Sequence, residues 1–147
     1  MSAAGDTTAI TNLIAKYAEL VDDGDFGGVG ALFAGGVFKG GGGVVGGEDV
    51  ERMLRVMVIV YEDGTPRTHH VTTNIAVEFE GDEAAARSYF TVFQALPDLP
   101  LQAIVTGRYR DRFGRVAGEW RFLEREVDIR MTGDLSGHLR RKPARAE

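Results

Sequence analysis

Three kinds of side chain in this chain could move a proton or hold a charge: Asp22, the adjacent pair His69 and His70, and Arg125. Asp22 closes an amphipathic stretch. A carboxylate there meets the negative end of a helix dipole, so something other than the helix must recommend it. The competing reading is a solvated turn acid, shared with Asp23 and Asp25. Histidine is the side chain best suited to proton transfer near neutrality. Either His69 or His70 could also be an exposed strand residue, or one satisfied in the core. Counting by twos, Arg125 shares a strand face with Leu123, Val127, Ile129 and Met131. A guanidinium on such a face needs a carboxylate partner or an anionic ligand. An ion pair with an acid from the helices is the plainer alternative.

Other chemistries lack their residues. With no cysteine among 147 residues, disulfides, thiolate nucleophiles and thiolate-bound metals are excluded. The run Gly40-Gly41-Gly42-Gly43 is not followed by Gly-Lys-Ser/Thr and has no parallel strand–helix–strand context, so it reads as a loop or hairpin. His69 and His70 point to opposite faces of a strand and cannot share a metal ion without distortion. The expected chemistry therefore uses no cofactor. Lys and Arg number 17 and Asp and Glu 22, a net charge of −5 that argues against nucleic acid as partner. No apolar run reaches membrane-spanning length. The N-terminus lacks a basic region followed by an apolar stretch, so the expected location is the cytoplasm. A small-molecule substrate is the remaining partner.

The elements that must position these residues follow from periodicity. Ile10, Leu13, Ile14, Tyr17, Leu20 and Val21 fall within an arc of about 120° on a helix. This predicts a helix over 8–21, capped by Asp6, Thr7 or Thr8 and stopped at Gly24. A short helix over 26–33 follows, capped by Asp25, then a possible strand at Val37-Phe38. A third helix opens at Glu48-Asp49. From Arg67 the period changes to 2, giving four long strands, with turns at Gly81-Asp82, between Pro97 and Pro100, and at Phe113-Gly114-Arg115. Helices first and an antiparallel meander after make an α+β domain, helices packed on one face of a sheet. The domain spans 1–132, and residues 133–147 read as a mobile, solvated tail. The strand over 84–95 is apolar on both faces, which predicts a covering second copy in a homodimer or homotrimer.

The ordered set Ile10-x-x-Leu13-x-x-x-Tyr17-x-x-x-x-Asp22-x-x-Asp25-Phe26, Arg67-Thr-His69-His70-Val-Thr-Thr-Asn74, Gly107-Arg-Tyr109-x-Asp111 and Trp120-Arg-Phe122-x-x-Arg125 resembles the SnoaL-like branch of the nuclear transport factor two-like superfamily. The resemblance runs from about residue 8 to 130 and is closest to the scytalone dehydratase and hexachlorocyclohexane dehydrochlorinase group. It implies a cystatin-like, cone-shaped α+β barrel with a strongly bent, mixed, largely antiparallel sheet around a deep apolar pocket. It also implies an aspartate–histidine dyad at Asp22 and His70, with Asn74 four residues on, and Tyr17 and Arg125 at pocket positions. His69 is the alternative pocket histidine. Strand alternation puts His69, not His70, on the face of Val71, Ile75 and Val77, unless a bulge near Thr72-Thr73-Asn74 flips the parity. The implied activity is that of a lyase or isomerase abstracting a proton from a small, mostly apolar or polyketide-like substrate. The same fold also carries polyketide cyclases and non-catalytic scaffold subunits such as those of ring-hydroxylating dioxygenases, which keeps a ligand-binding or scaffold role open.

Overall fold

The computed structural model describes residues 2–40 and 43–141. Its elements are α1 (Ala3–Asp22), α2 (Phe26–Leu32), β1 (Val37–Gly40), β2 (Gly43–Gly46), α3 (Gly47–Met57), β3 (Thr68–Glu80), β4 (Glu83–Leu96), β5 (Leu99–Val116) and β6 (Glu119–Thr132). The architecture is α+β: three helices on a six-stranded mixed sheet of order β2-β1-β6-β5-β4-β3. The pairings are antiparallel except β1 with β6. The barrel implied by resemblance does not close, since β2 and β3 remain as edges.

α1 buries Ile10, Ile14, Tyr17 and Val21, the stripe its spacing predicts, and packs on β3 and β6. It starts earlier than expected. Ser2, not Asp6, Thr7 or Thr8, is the N-cap, accepting from the Gly5 N–H at 3.1 Å. Asp6 is instead a buried acceptor for Trp120 Nε1 at 3.1 Å and Arg115 at 3.0 Å. At the far end Gly24 adopts φ +74°, and a Cβ there would fall 2.1 Å from the Gly64 carbonyl oxygen. Only glycine lets the chain turn so close to that loop. Asp25 caps α2 through the Gly28 N–H at 2.8 Å, as predicted.

The meander runs longer than its glycines suggest. Phe113-Gly114-Arg115 is not a turn: β5 continues to Val116, and the hairpin turns at Ala117 and Gly118, both with positive φ (52° and 82°). That pair of left-handed residues suits the twist of a two-residue hairpin. Gly114 lies against Leu123 within the sheet.

In β3 the register shifts between Thr73 and Ala76, and Asn74 sits at φ 55°. Asparagine tolerates that left-handed conformation better than most residues. The bulge reverses the strand's parity. Before it, His70 and Thr72 pair with the buried Val92 and Phe90; after it, Val77 and Phe79 pair with the buried Ala86 and Ala84. His70 therefore shares the inner face with Val77, and His69 and Val71 lie on the outer face.

The expected solvated tail is corrected as far as residue 141. Leu135 and His138 are buried. The Ile59 N–H donates to the His138 carbonyl at 2.8 Å, the Arg140 N–H donates to the Met57 carbonyl at 2.9 Å, and Val58 bridges to Leu139. Apolar Leu135 and Leu139 give the segment something to bury, which outweighs the charges of Arg140 and Arg141 beyond it. Residues 142–147 of that expectation lie outside the described residues.

Candidate active site

The carboxylate of Asp22 gathers three donors from one strand. Thr68 Oγ1 donates to Oδ1 at 2.8 Å, the His70 backbone N–H donates to Oδ2 at 2.8 Å, and His70 Nδ1 lies 2.6 Å from Oδ1. This is what recommends an acid at a helix C-terminus. Burial pushes the Asp22 carboxyl up, but the bonds and charge of His70, with the Thr68 hydroxyl, outweigh it and hold it below its ordinary 3.8. An ionised Asp22 takes a proton-bearing Nδ1 as its partner. The His70 side chain is 8% exposed and the Asp22 side chain 19%.

The His70 ring opens onto a cavity of about 140 Å³. Its walls are mainly apolar, with Val21, Met53, Leu54 and Ile129 among them, and Tyr17, Tyr109, His70 and His138 also line it. The Tyr17 ring stands edge-on to His70 at 6.4 Å between centroids. Tyr109 stacks on Phe90 at 4.5 Å. Burial pushes both phenols up, so both stay protonated and able to donate at neutral pH.

Arg125 does not line the cavity. It is 0% exposed and forms a two-pronged pair with Asp111, Nε to Oδ1 at 2.8 Å and Nη2 to Oδ2 at 2.9 Å. The partner acid comes from the adjacent strand, opposite Arg125 in register, and not from the helices. Its guanidinium lies 3.6 Å from the Tyr109 ring centroid and 4.4 Å from that of Tyr17. The two tyrosines thus separate a neutralised ion pair from the cavity, and Arg125 supports them from behind.

Residues 2–126 match the family of SnoaL-like domains. This chain belongs to the SnoaL-like family. Solved structures agree on the fold. A cystatin-like protein of unknown function from Nostoc punctiforme is 23% identical, with TM-score 0.72 over 88% of this chain and 94% of the other. A protein of Novosphingobium aromaticivorans provisionally named a scytalone dehydratase is 23% identical, with TM-score 0.74 over 97% and 93%. LinA is 20% identical, with TM-score 0.70 over 91% and 92%. No functionally curated protein matches the sequence.

Two other positions expected at the site are not at the cavity. His69 is exposed on the outer face of β3, and Asn74 is exposed on the bulge. Asn74 shapes the site through backbone geometry, because its left-handed turn sets which histidine points inward.

One further residue lines the cavity that the sequence does not mark. His138, beyond the SnoaL-like match, is 6% exposed and lines the cavity with its ring centroid 6.4 Å from that of His70. Burial, with the nearby His70 charge, pushes its imidazole down to about 4 against a weaker opposing pull from Asp22. It is neutral at physiological pH. The available signal was the spacing Leu135-x-x-His138-Leu139, an apolar flank around a histidine inside a presumed tail. Among the described residues no group of three or more His, Cys, Asp or Glu is placed to hold a metal ion, and no helix is long and apolar enough to cross a membrane.

Proposed function

We propose that this SnoaL-like protein is a cofactor-independent lyase or isomerase that removes a proton from carbon in a small, uncharged, mostly apolar substrate. The observation that carries this reading is the 2.6 Å contact between Asp22 and a His70 ring that opens onto the cavity. Asp22 fixes the tautomer of His70 and stabilises the imidazolium formed when Nε2 takes the proton. The electron pair left on carbon either expels a leaving group from the neighbouring carbon, forming a double bond, or moves onto a carbonyl oxygen as an enolate. A protonated Tyr17 or Tyr109 can donate a hydrogen bond to that oxygen or to the leaving group. A positioned general base of this kind is worth about 10²–10⁴-fold in rate. The accessible cavity favours this reading over a scaffold role, for which a pocket filled by side chains is expected.

The test is deuterium uptake at the α-carbon of a panel of small cyclic ketones in D2O, followed by proton NMR. Uptake that depends on the protein and falls about 10²–10⁴-fold in His70→Ala supports a base. Uptake unchanged by that substitution, or no uptake from ketones shown to bind, overturns it in favour of a ligand-binding role.

A further inference from the structure

Gln94 lies on β4 opposite Thr68, the first residue of β3. It is 1% exposed, and both hydrogens of its amide are used. Nε2 donates to the Pro66 carbonyl at 3.0 Å and to the Gly137 carbonyl at 3.0 Å. Its Oε1 is buried with no hydrogen-bond partner among the described residues, a cost that must be set against those two bonds. Two carbonyls distant in sequence are thus held by one small group.

On one side the amide holds the entry to the strand of the dyad. Pro66 is followed by Arg67 at φ 56°, a left-handed conformation that a bulky residue keeps only where its surroundings enforce it. That turn aims the next residues at α1. Thr68 Oγ1 and the His70 N–H both donate to the Asp22 carboxylate at 2.8 Å. Gln94 grips the carbonyl just before the turn, so it fixes where β3 begins.

On the other side the amide holds the segment over 133–141. Gly137 sits in a cradle: a Cβ on it would fall 2.7 Å from Leu96 Cδ1, 3.2 Å from Gln94 Oε1 and 3.3 Å from the Tyr61 hydroxyl. The Tyr61 hydroxyl donates to the same Gly137 carbonyl. Two residues further on, Leu139 lines the cavity of the dyad. It also lines a second cavity of about 380 Å³ formed by the segment itself, with Asp134, Leu135 and Arg140 among its walls. Leu139 therefore borders open space on two sides, and Gly137 in its cradle is what pins this wall.

We propose that Gln94 is a positioning residue for the dyad, and that through its two bonds the docking of the segment over 133–141 and the grip of Asp22 on His70 are set together. This deepens the catalytic reading, since it takes His70 as the working base, but the coupling itself does not depend on turnover. When Gly137 leaves its cradle, the amide loses one of its two anchors. The bond to Pro66 then slackens, and Thr68 and His70 lose their fixed distance from Asp22. An open cavity carries a slack base, and a closed one carries a base held in place.

Hydrogen exchange of the His70 backbone N–H reads this coupling, because that N–H donates to the Asp22 carboxylate. The amides of β5 are the control for global unfolding. In Gly137→Ala, whose added Cβ crowds Leu96 and Gln94, exchange at His70 should speed up about fivefold to tenfold, the usual worth of one hydrogen bond, with β5 unchanged. Gln94→Leu should give a similar acceleration, and the two together should add nothing further, as for residues acting through one contact. Deuterium uptake from the cyclic ketones should slow in step. If Gly137→Ala does not fold, Tyr61→Phe, which removes only a bond on the segment side, takes its place in every comparison. Equal His70 exchange in the wild type and the segment variant overturns the proposal, as do effects that simply add, or an acceleration that β5 shares. Coupled exchange without any deuteration of ketone would refute the base assigned to His70 and leave the coupling standing. Deuteration lost in His70→Ala, with a His70 amide indifferent to Gly137→Ala, would do the reverse.

Discussion

Asp22 holds His70 twice, by the ring nitrogen at 2.6 Å and by the backbone N–H at 2.8 Å. One carboxylate therefore sets both the tautomer of the ring and the position of the strand that carries it. Asp22→Asn removes the negative charge while keeping the shape. Nitrogen-15 spectra should show His70 as the Nδ1–H tautomer in the wild type and as a tautomer mixture in the variant. Activity should fall at least as far as the loss of one well-placed base partner, about 10²-fold or more. An unchanged tautomer would separate the contact from any role in catalysis.

The acid limb of stability carries a second signature of Asp22. Its carboxyl is held below the ordinary value in the fold, so its stabilising contribution is present above pH 3.8 and is lost as pH falls through the lowered native value. Urea midpoints taken from pH 5 downward should fall more steeply for the wild type than for Asp22→Asn.

His138 acts at higher pH. Unfolded, it takes a proton near 6.5; folded, it resists protonation down to about 4. The depressed native value means that stability is full above pH 6.5 and declines as pH falls toward 4, by on the order of 3 kcal/mol in all. Thermal melts between pH 7 and pH 4.5 should show this decline in the wild type. His138→Phe should flatten it.

Much of the site could be read from the residues, and what could not has physical causes. The stripe Ile10, Ile14, Tyr17 and Val21 is a local, helical signal, so α1 and the placement of Asp22 at its end followed directly. Which histidine faces inward depended on a single inserted residue at Asn74, because one extra residue reverses every later side chain of a strand. The spacing by twos marks Arg125 as a charge on an apolar face. Its partner Asp111 is opposite it only through strand register, which distance along the chain does not encode. His138 was hidden because burial of the segment over 133–141 comes from Gln94 and Tyr61, far away in sequence.

The Arg125–Asp111 pair should be strongly asymmetric under substitution. Both side chains are 0% exposed. Removing one partner, as in Asp111→Ala, leaves a buried charge unpaired and should cost about 3–5 kcal/mol by urea denaturation. Replacing both together with apolar residues, Arg125→Met with Asp111→Leu, should cost far less than either single change.

Self-association is testable on the outer surface of the sheet. Leu101 and Met131 are 72% and 66% exposed, and Tyr89 is 44% exposed. Light scattering after size exclusion should give a dimer or trimer mass, and Tyr89→Glu with Met131→Glu should shift it toward monomer. A monomeric wild type would reject the expectation.

The cavity draws its walls from Tyr17 on the first helix to Leu139 after the last strand. During synthesis Asp22 leaves the ribosome long before His138 does. Until residues 133–141 dock, the apolar lining faces water, so the nascent chain presents a greasy, half-built bowl to chaperones and to other chains. His138 is thus among the last pieces to close the protein.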